Sequence, residues 1–520
     1  MIRIAETEYG LVKGLPAADP RITAFKGIPF AAPPVGENRW REPQPCSPWE
    51  GIRPAYEFGS ISVQDTPGLG DDIYCREWHV DPDIPMSEDC LYLNIWTGAK
   101  SKEEKLPVLV WFFGGAFQWG YTAEMEFDGE RLARRGIIVV SVNYRLNVFG
   151  FLAHPELTAE QRDTPTNFAH LDQQAGLLWV KRNIYNFGGD PENITIAGQS
   201  AGGMSVLVQI TNPLNQGLFQ KGIIQSGLIR SPYPSGFFGV PPKLQDAEAL
   251  GTEFFAFLGV QSLSQARKLD PFCLLQKYNE FVQSHPRMMT VQDDKFCFGD
   301  PPYLYLKGHH VQVPLMAGNT SDEFLVGIQA ETADEYKNKA AQCFGEEVDT
   351  FLRFKEAWHY REGIGYGAVN AIEFTTKALI LASSEMGNPN CAYYYQFMPE
   401  IPGWDKPGAF HSVDLWFSFE TLAKCWRPFT GKHYDLARKM ANYWANFIKS
   451  GDPNGLDHDG SPLPEWKPYT KDTPCQMLFT TEGPEPVIEQ TSEFKRFLIE
   501  HITEDILQHT ETNHAKETSL

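Results

Sequence analysis

The 520-residue chain has no run of 18 or more apolar residues, so no segment is long and apolar enough to cross a bilayer as a helix. Positive charge is scarce: 45 Lys and Arg stand against 66 Asp and Glu, a formal net charge of −21. Repulsion disfavours nucleic acid and anionic membrane as partners. The charge fits a protein acting on neutral or cationic small molecules, and equally one whose charge serves only solubility. Cysteine offers no metal-ligand spacing. The nine cysteines (46, 75, 90, 273, 297, 343, 391, 425 and 475) are odd in number and scattered, a pattern expected of reduced thiols in a cytoplasmic compartment. Met1 to Glu8 lack an apolar core and a cleavage site, so no secretory signal is expected there. Internal repeats and low-complexity tracts are absent. The sequons at Asn193 and Asn319 fall where core strands or the active site are expected, which argues against glycosylation.

What is present is an ordinary globular balance, 42% apolar and 21% charged. Short strands are expected at Tyr9 to Val12 and Ile22 to Phe25, then an extended Pro-rich loop from Pro29 to Gly36. Residues 42–87, rich in Pro, Gly and Asp, read as irregular surface. Strand-length runs come next, at Leu91–Trp96, Val108–Phe113, Ile137–Val142, Ile194–Ala197, Ile223–Ser226, Val313–Ala317, Ala392–Phe397 and Met477–Thr480. Unbroken apolar runs of this length suit strands buried on both faces. Helical stretches lie between them, clearest at Leu171–Ile184 and at Leu436–Lys449, where Leu436, Met440, Tyr443, Trp444, Phe447 and Ile448 form one stripe and Gly451 the stop. Strands alternating with helices predict an α/β fold around a large, mostly parallel sheet. The expectation is one domain over residues 1–505, with helix-rich insertions at about 231–305 and 328–390 over the carboxyl edge of the sheet, where ligands of open α/β sheets bind. Residues 506–520 read as a polar, frayed tail.

The chemistry is carried by Gly198-Gln199-Ser200-Ala201-Gly202, set between a β-branched run and a helix start. A serine on a sharp strand-to-helix turn needs neighbours without side chains two positions away, and the helix behind it offers free N–H groups to an anion. A nucleophilic Ser200 requires a base and a carboxylate to orient it, in the chain order serine, acid, histidine. The Val313–Ala317 strand leads into Asn319-Thr320-Ser321-Asp322-Glu323, so the acid is Asp322 or Glu323. Of the 13 histidines, His411 fits best, on a loop after the Ala392–Phe397 strand and preceded by small residues. Phe112-Phe113-Gly114-Gly115-Ala116-Phe117 ends a buried strand with small residues. The N–H groups of Gly115, Ala116 and Ala201 would make a three-donor oxyanion hole, each donor worth ~3 kcal/mol in the transition state.

These segments together resemble the type-B carboxylesterase family, which includes the cholinesterases and bacterial para-nitrobenzyl esterases. The marks are Phe25-Lys26-Gly27-Ile28-Pro29-Phe30, Ser87-Glu88-Asp89-Cys90-Leu91-Tyr92-Leu93-Asn94, Gly114-Gly115-Ala116-Phe117, Asn143-Tyr144-Arg145, Phe187-Gly188-Gly189-Asp190-Pro191, the Ser200 elbow, Gln225-Ser226-Gly227, and Ser450-Gly451-Asp452-Pro453-Asn454. The match runs from about Tyr9 to about Gly455. It implies an α/β-hydrolase fold, Ser200 as nucleophile, Glu323 rather than Asp322 as acid, and His411 as base. It further implies oxyanion donors at Gly115, Ala116 and Ala201, Ser226 and Gln199 as polar neighbours of the site, and ion pairs Arg39–Glu88 and Arg145–Asp172. Phe113 stands where relatives carry His or Tyr. Ala116 replaces a third glycine, a variant that accompanies tolerance of bulky alcohol groups in relatives. Gln199 replaces the glutamate of cholinesterases, which argues against a choline site. Trp78 stands roughly where cholinesterases place an aromatic, and reads either as a leaving-group wall or as a surface-loop anchor. Cys90 matches a half-cystine of secreted members, but its partner position is Ser62.

The resemblance therefore implies a cytoplasmic serine carboxylesterase acting on small neutral esters through an acyl-enzyme. No metal or organic cofactor is expected, nor nucleic-acid binding or membrane insertion, and the chain is expected as a monomer or weak homo-oligomer. The rivals are a catalytically silent, cholinesterase-like binding protein and a hydrolase of thioester, carbamate or amide bonds with the same triad.

Overall fold

The computed structural model describes residues 1–228, 230–233, 239–385 and 392–517, and the side chains of these up to residue 508. The parts of the expected insertions at 234–238 and 386–390, and residues 518–520 of the expected tail, lie outside the described residues.

The apolar runs form the backbone of one sheet. In chain order its strands are β1 (Leu15–Pro16), β2 (Thr23–Pro29), β3 (Tyr92–Thr97), β4 (Leu106–Phe112), β5 (Ile138–Val142), β6 (Gly189–Gln199), β7 (Lys221–Gln225), β8 (Leu315–Thr320), β9 (Ala392–Phe397), β10 (Cys475–Thr480) and β11 (Gly483–Ile488). Their spatial order is β11-β10-β9-β8-β7-β6-β4-β5-β3-β2-β1. The stretch from β5 through β4, β6, β7, β8 and β9 to β10 is parallel. Both flanks are antiparallel: β3 runs against both β5 and β2, and β11 against β10. The Leu91–Trp96 run, expected among the parallel core strands, is thus an antiparallel one. It is buried on both faces all the same, so its apolar pattern does not reveal its direction.

Helices α1 (Phe168–Asn183), α2 (Ala201–Thr211), α3 (Leu244–Leu258), α4 (Pro271–Phe281), α5 (Ala371–Glu385), α6 (Gly431–Ser450) and α7 (Glu493–Glu517) supply the main flanking layers. In α6 the predicted stripe is buried, and Gly451 closes the helix at φ +82°, a conformation that suits glycine. The first expected insertion holds α3 and α4. Tyr278 of α4 donates to Gln118 Oε1 at 3.0 Å, so this segment rests on the loop leaving β4. The second stretch contains a small antiparallel sheet of Leu325–Ile328, Tyr360–Arg361 and Gly365–Asn370. Its last part differs from expectation: α5 packs on β8 and β9, so it belongs to the layer flanking the sheet.

Residues 42–87 are not merely surface, since Ile61, Val63, Glu77 and Trp78 are buried, and Glu77 makes an ion pair with the buried Arg427. Helix α7 continues past residue 506 to Glu517, and Phe494, Phe497, Leu498, Ile502 and Ile506 bury one side of its first half. The high density of Glu, Lys and His hides that spaced apolar stripe from a composition argument.

Both expected ion pairs exist. Arg39 and Glu88 form two bonds of 2.6 and 2.7 Å, and Arg145 grips Asp172 with 2.8 and 2.7 Å bonds in a fully buried setting. The eight described cysteines are free thiols, and Cys90 lies against Ser62 rather than a second cysteine. Asn319 is fully buried with Tyr394 donating to its Oδ1, and Asn193 is engaged with Lys221 and Lys449, so both sequons are structural. No described helix is long and apolar enough to cross a membrane.

Candidate active site

The carboxyl ends of β4, β6, β7, β8 and β9 lie along one edge of the sheet, and each feeds a loop that carries a predicted residue. Ser200 follows β6 directly and caps α2 with φ +55° and ψ −124°, a strained conformation for a residue with a side chain. The turn is held by Ser200 N–H donating to Gln225 O at 2.9 Å and by Met204 N–H donating to Ser200 O at 2.9 Å. The flanking glycines are sterically required. A Cβ on Gly202 would sit 2.0 Å from Phe112 O, and one on Gly198 would sit 2.3 Å from the Gly202 carbonyl carbon. Strand, turn and helix therefore meet at backbone contact, and Ser200 is thrust out of the turn.

Of the two candidate acids, Glu323 is the one that meets His411. Glu323 Oε2 lies 2.5 Å from His411 Nδ1, and its Oε1 accepts the Thr320 N–H at 3.3 Å. Asp322 instead accepts the Ala409 N–H at 2.9 Å, while its own N–H donates to Ala409 O at 3.1 Å. It fastens the histidine loop to the acid loop. Gly408, at φ +66°, makes this possible, because a Cβ there would lie 2.8 Å from the Asp322 carboxyl. The small residues before His411 serve that approach. The imidazole packs on Phe324 at 4.5 Å between ring centres.

The loop after β4 is the most strained stretch nearby. Gly115 (φ +111°), Ala116 (φ +53°) and Phe117 (φ +60°) are consecutive left-handed residues. Gly115 O accepts the N–H groups of Gln118 and Trp119, each at 2.9 Å, and Phe117 O accepts the Asn147 N–H at 2.7 Å. The Gln64 carboxamide closes the loop, accepting Gly120 N–H at 2.8 Å and donating to Gly120 O at 3.0 Å. With the carbonyls turned inward and tied, the Gly115 and Ala116 N–H groups have no partner among the described residues. Ala201 begins α2, so its N–H has no carbonyl a turn earlier. A Cβ on Gly114 would lie 3.1 Å from Ser200 Cβ, which puts the two loops in contact. Phe113 stacks on Tyr144 at 4.2 Å and 13°, so its ring is absorbed by packing.

The two predicted polar neighbours behave differently. Gln199 reaches the site, its Nε2 lying 3.1 Å from His411 Nε2. Ser226 follows β7, its Oγ buried without a hydrogen-bond partner among the described residues and its N–H donating to Gly318 O. Trp78 is neither exposed nor merely an anchor. It stacks on Phe410 at 6.3 Å and 22°, one residue from the histidine. Sequence reasoning missed Asp414, whose Oδ2 accepts from Gln225 Nε2 at 3.0 Å and Tyr395 OH at 2.8 Å. Burial, together with repulsion from Glu323, pushes its carboxyl up to about 6. Its place three residues after His411 in the same turn is the sole signal. A carboxylate–histidine cluster at Asp457, His458 and Asp459 lies outside this site, and Asp457 is committed to Arg438 and Asn442.

A model of the carboxylesterase family matches residues 2–363 and 366–496. The chain is 30% identical over 511 residues to the para-nitrobenzyl esterase of Bacillus subtilis (strain 168), covering 92% of this chain and 95% of that one. It is 33% identical over 469 residues to the fumonisin B1 esterase of Sphingopyxis macrogoltabida, covering 87% and 82%. Among solved structures, a PNB esterase superposes with a TM-score of 0.74 at 28% identity, covering 96% of this chain and all 100% of that one. A carboxylesterase from Geobacillus stearothermophilus gives 0.73 at 28%, with the same coverage. The chain therefore belongs to the carboxylesterase family, with the α/β-hydrolase fold, and is a carboxylic ester hydrolase of the type-B serine class.

Proposed function

We propose that the chain hydrolyses esters of small neutral substrates through an acyl-enzyme on Ser200, with His411 as base, Glu323 as the acid that orients it, and Gly115, Ala116 and Ala201 as oxyanion donors. The observation that carries this reading is the 2.5 Å contact of His411 Nδ1 with the buried Glu323 carboxylate, next to the strained Ser200 elbow. The carboxylate accepts a hydrogen bond only, so Nδ1 keeps its proton and Nε2 presents a lone pair. Ser200 Oγ attacks the ester carbonyl as its proton passes to Nε2, and the oxyanion settles on the three N–H groups. Collapse breaks the carbon–oxygen bond to the alcohol, which leaves with the proton from Nε2. Water then attacks the acyl-enzyme by the same transfers, releasing the acid and restoring Ser200.

The net charge of −21 supports neutral over anionic substrates. Ala116 in the donor loop and the relatives' esters, para-nitrobenzyl and fumonisin B1 among them, support a pocket open to bulky alcohol groups. The free Cys90 beside Ser62 supports a reducing, cytoplasmic location. The test is turnover of para-nitrophenyl acetate and butyrate by wild type and Ser200→Ala, with fluorophosphonate labelling. Turnover and Ser200 labelling are expected in the wild type, and loss of both in the variant. Absence of labelling in the wild type would overturn the reading, and labelling without ester turnover would shift it to a thioester, carbamate or amide bond.

A further inference from the structure

His411 carries a hydrogen bond on each ring nitrogen, and the second is not with the serine. Nδ1 is held by Glu323, which leaves the single in-plane lone pair on Nε2 as acceptor. The Gln199 carboxamide nitrogen stands 3.1 Å from that lone pair. Only one polarity satisfies both groups, with the Gln199 N–H donating to the imidazole. No hydrogen bond joins Ser200 Oγ to any described side chain.

The berth of the carboxamide is built. Gln199 is the last residue of β6 and is buried. A Cβ on Gly114 would lie 2.9 Å from Gln199 Oε1, so the bare Gly114 makes the room. On the far side the imidazole is backed by Phe324. The ring is therefore pinned at both nitrogens and against one face.

We infer that Gln199 is a positioning residue that caps the catalytic base in the free enzyme: its N–H occupies the lone pair that must receive the Ser200 proton. The inference rests on the proposed roles of Ser200, Glu323 and His411. Two donors, Gln199 N–H and Ser200 O–H, compete for one acceptor, so the nucleophile is activated only when the carboxamide yields. A glutamate at this position could not form the cap, because a carboxylate facing a bare ring nitrogen puts acceptor against acceptor. The residue type before the serine thus sets how much of the resting enzyme has its base free.

The experiment measures the second-order rate of fluorophosphonate labelling of the full-length protein for wild type, Gln199→Met and Gln199→Asn. Methionine matches the length without a donor, and asparagine keeps the donor on a chain one methylene too short. Both variants are expected to label Ser200 faster, by about fivefold, the factor that one neutral hydrogen bond represents. A residue of purely structural importance would slow labelling when replaced. If the wild type labels at Ser200 and both variants label at the same rate or slower, the cap is refuted. If Gln199→Met does not fold, Gln199→Asn decides alone. Failure of the wild type to label at Ser200 would instead overturn the proposed catalytic roles.

Discussion

Replacing Glu323 with glutamine exchanges one oxygen for an NH2 group at constant shape, and the hydrogen-bond partners of the two oxygens determine the consequence. One carboxylate oxygen takes the His411 Nδ1 proton at 2.5 Å, and the other takes the Thr320 N–H at 3.3 Å. A carboxamide cannot do both. With its NH2 toward the ring, Nδ1 becomes the acceptor, the ring proton moves to Nε2, and the base can no longer accept from Ser200. With its oxygen toward the ring, the NH2 faces the Thr320 N–H, donor against donor, at a buried position where an unmet donor costs about 1–3 kcal/mol. Neither orientation meets every partner, and a proton on Nε2 would face the Gln199 N–H, so the reactive tautomer is no longer held. The neutral side chain also stops stabilising the imidazolium. The analogous acid-to-amide change in a serine protease triad lowers kcat by about 10⁴, and each tenfold is about 1.4 kcal/mol, so Glu323→Gln is expected to lose about 10³–10⁴ in kcat, or roughly 4–5.5 kcal/mol. Asp322→Asn keeps an acceptor for the Ala409 N–H and is expected to lose at most about tenfold, the worth of one weakened hydrogen bond. The assay is para-nitrophenyl butyrate turnover, normalised to correctly folded protein. Retention of more than a tenth of wild-type kcat by Glu323→Gln, or a larger loss for Asp322→Asn, would refute the reasoning.

Two stability predictions are independent of the chemistry. Arg145→Ala leaves Asp172 charged, fully buried and without its cation, so unfolding free energy should drop by about 3–5 kcal/mol in urea titration, and a drop under about 1 kcal/mol would contradict the pairing. Glu126 has both carboxyl oxygens buried without a partner among the described residues, and Glu124 beside it, in contact with His79 and Tyr121, is pushed up to about 8 by burial. The folded chain holds protons here that the unfolded chain releases above about pH 4.5, so stability declines as pH rises from there through about 8. Glu126→Gln should remove much of that decline and be more stable than wild type at pH 8 but little different at pH 5, read from urea midpoints. A gain equal at both pH values would show that the carboxyl is not the cause.

The apolar runs, the glycine spacing around Ser200 and the small residues around Gly115 made the parallel strands and the elbow legible in the chain itself. Those signals are local: buried strands need unbroken apolar residues, and a strained turn needs missing side chains. The stripe of α6 was legible for the same reason, through its periodicity. The direction of β3 was not, since a strand buried on both faces reads alike in either orientation. The helix at the chain end was obscured by its polar majority.

Within the site, chain order alone nominated Ser200 and His411 and narrowed the acid to two neighbours, and family resemblance favoured Glu323. The choice between Asp322 and Glu323 turns on which side chain meets a ring 88 residues further along, and adjacent residues on a turn point in different directions. The same holds for Gln199 against His411, Trp78 against Phe410, and Asp414 under Gln225 and Tyr395. Where the backbone is bent, buried or bare can be read along the chain, because those demands fall on one residue and its neighbours. Which polar atoms pair cannot be read that way, because it depends on folding that brings segments 88 to 212 residues apart within 2.5–3.1 Å.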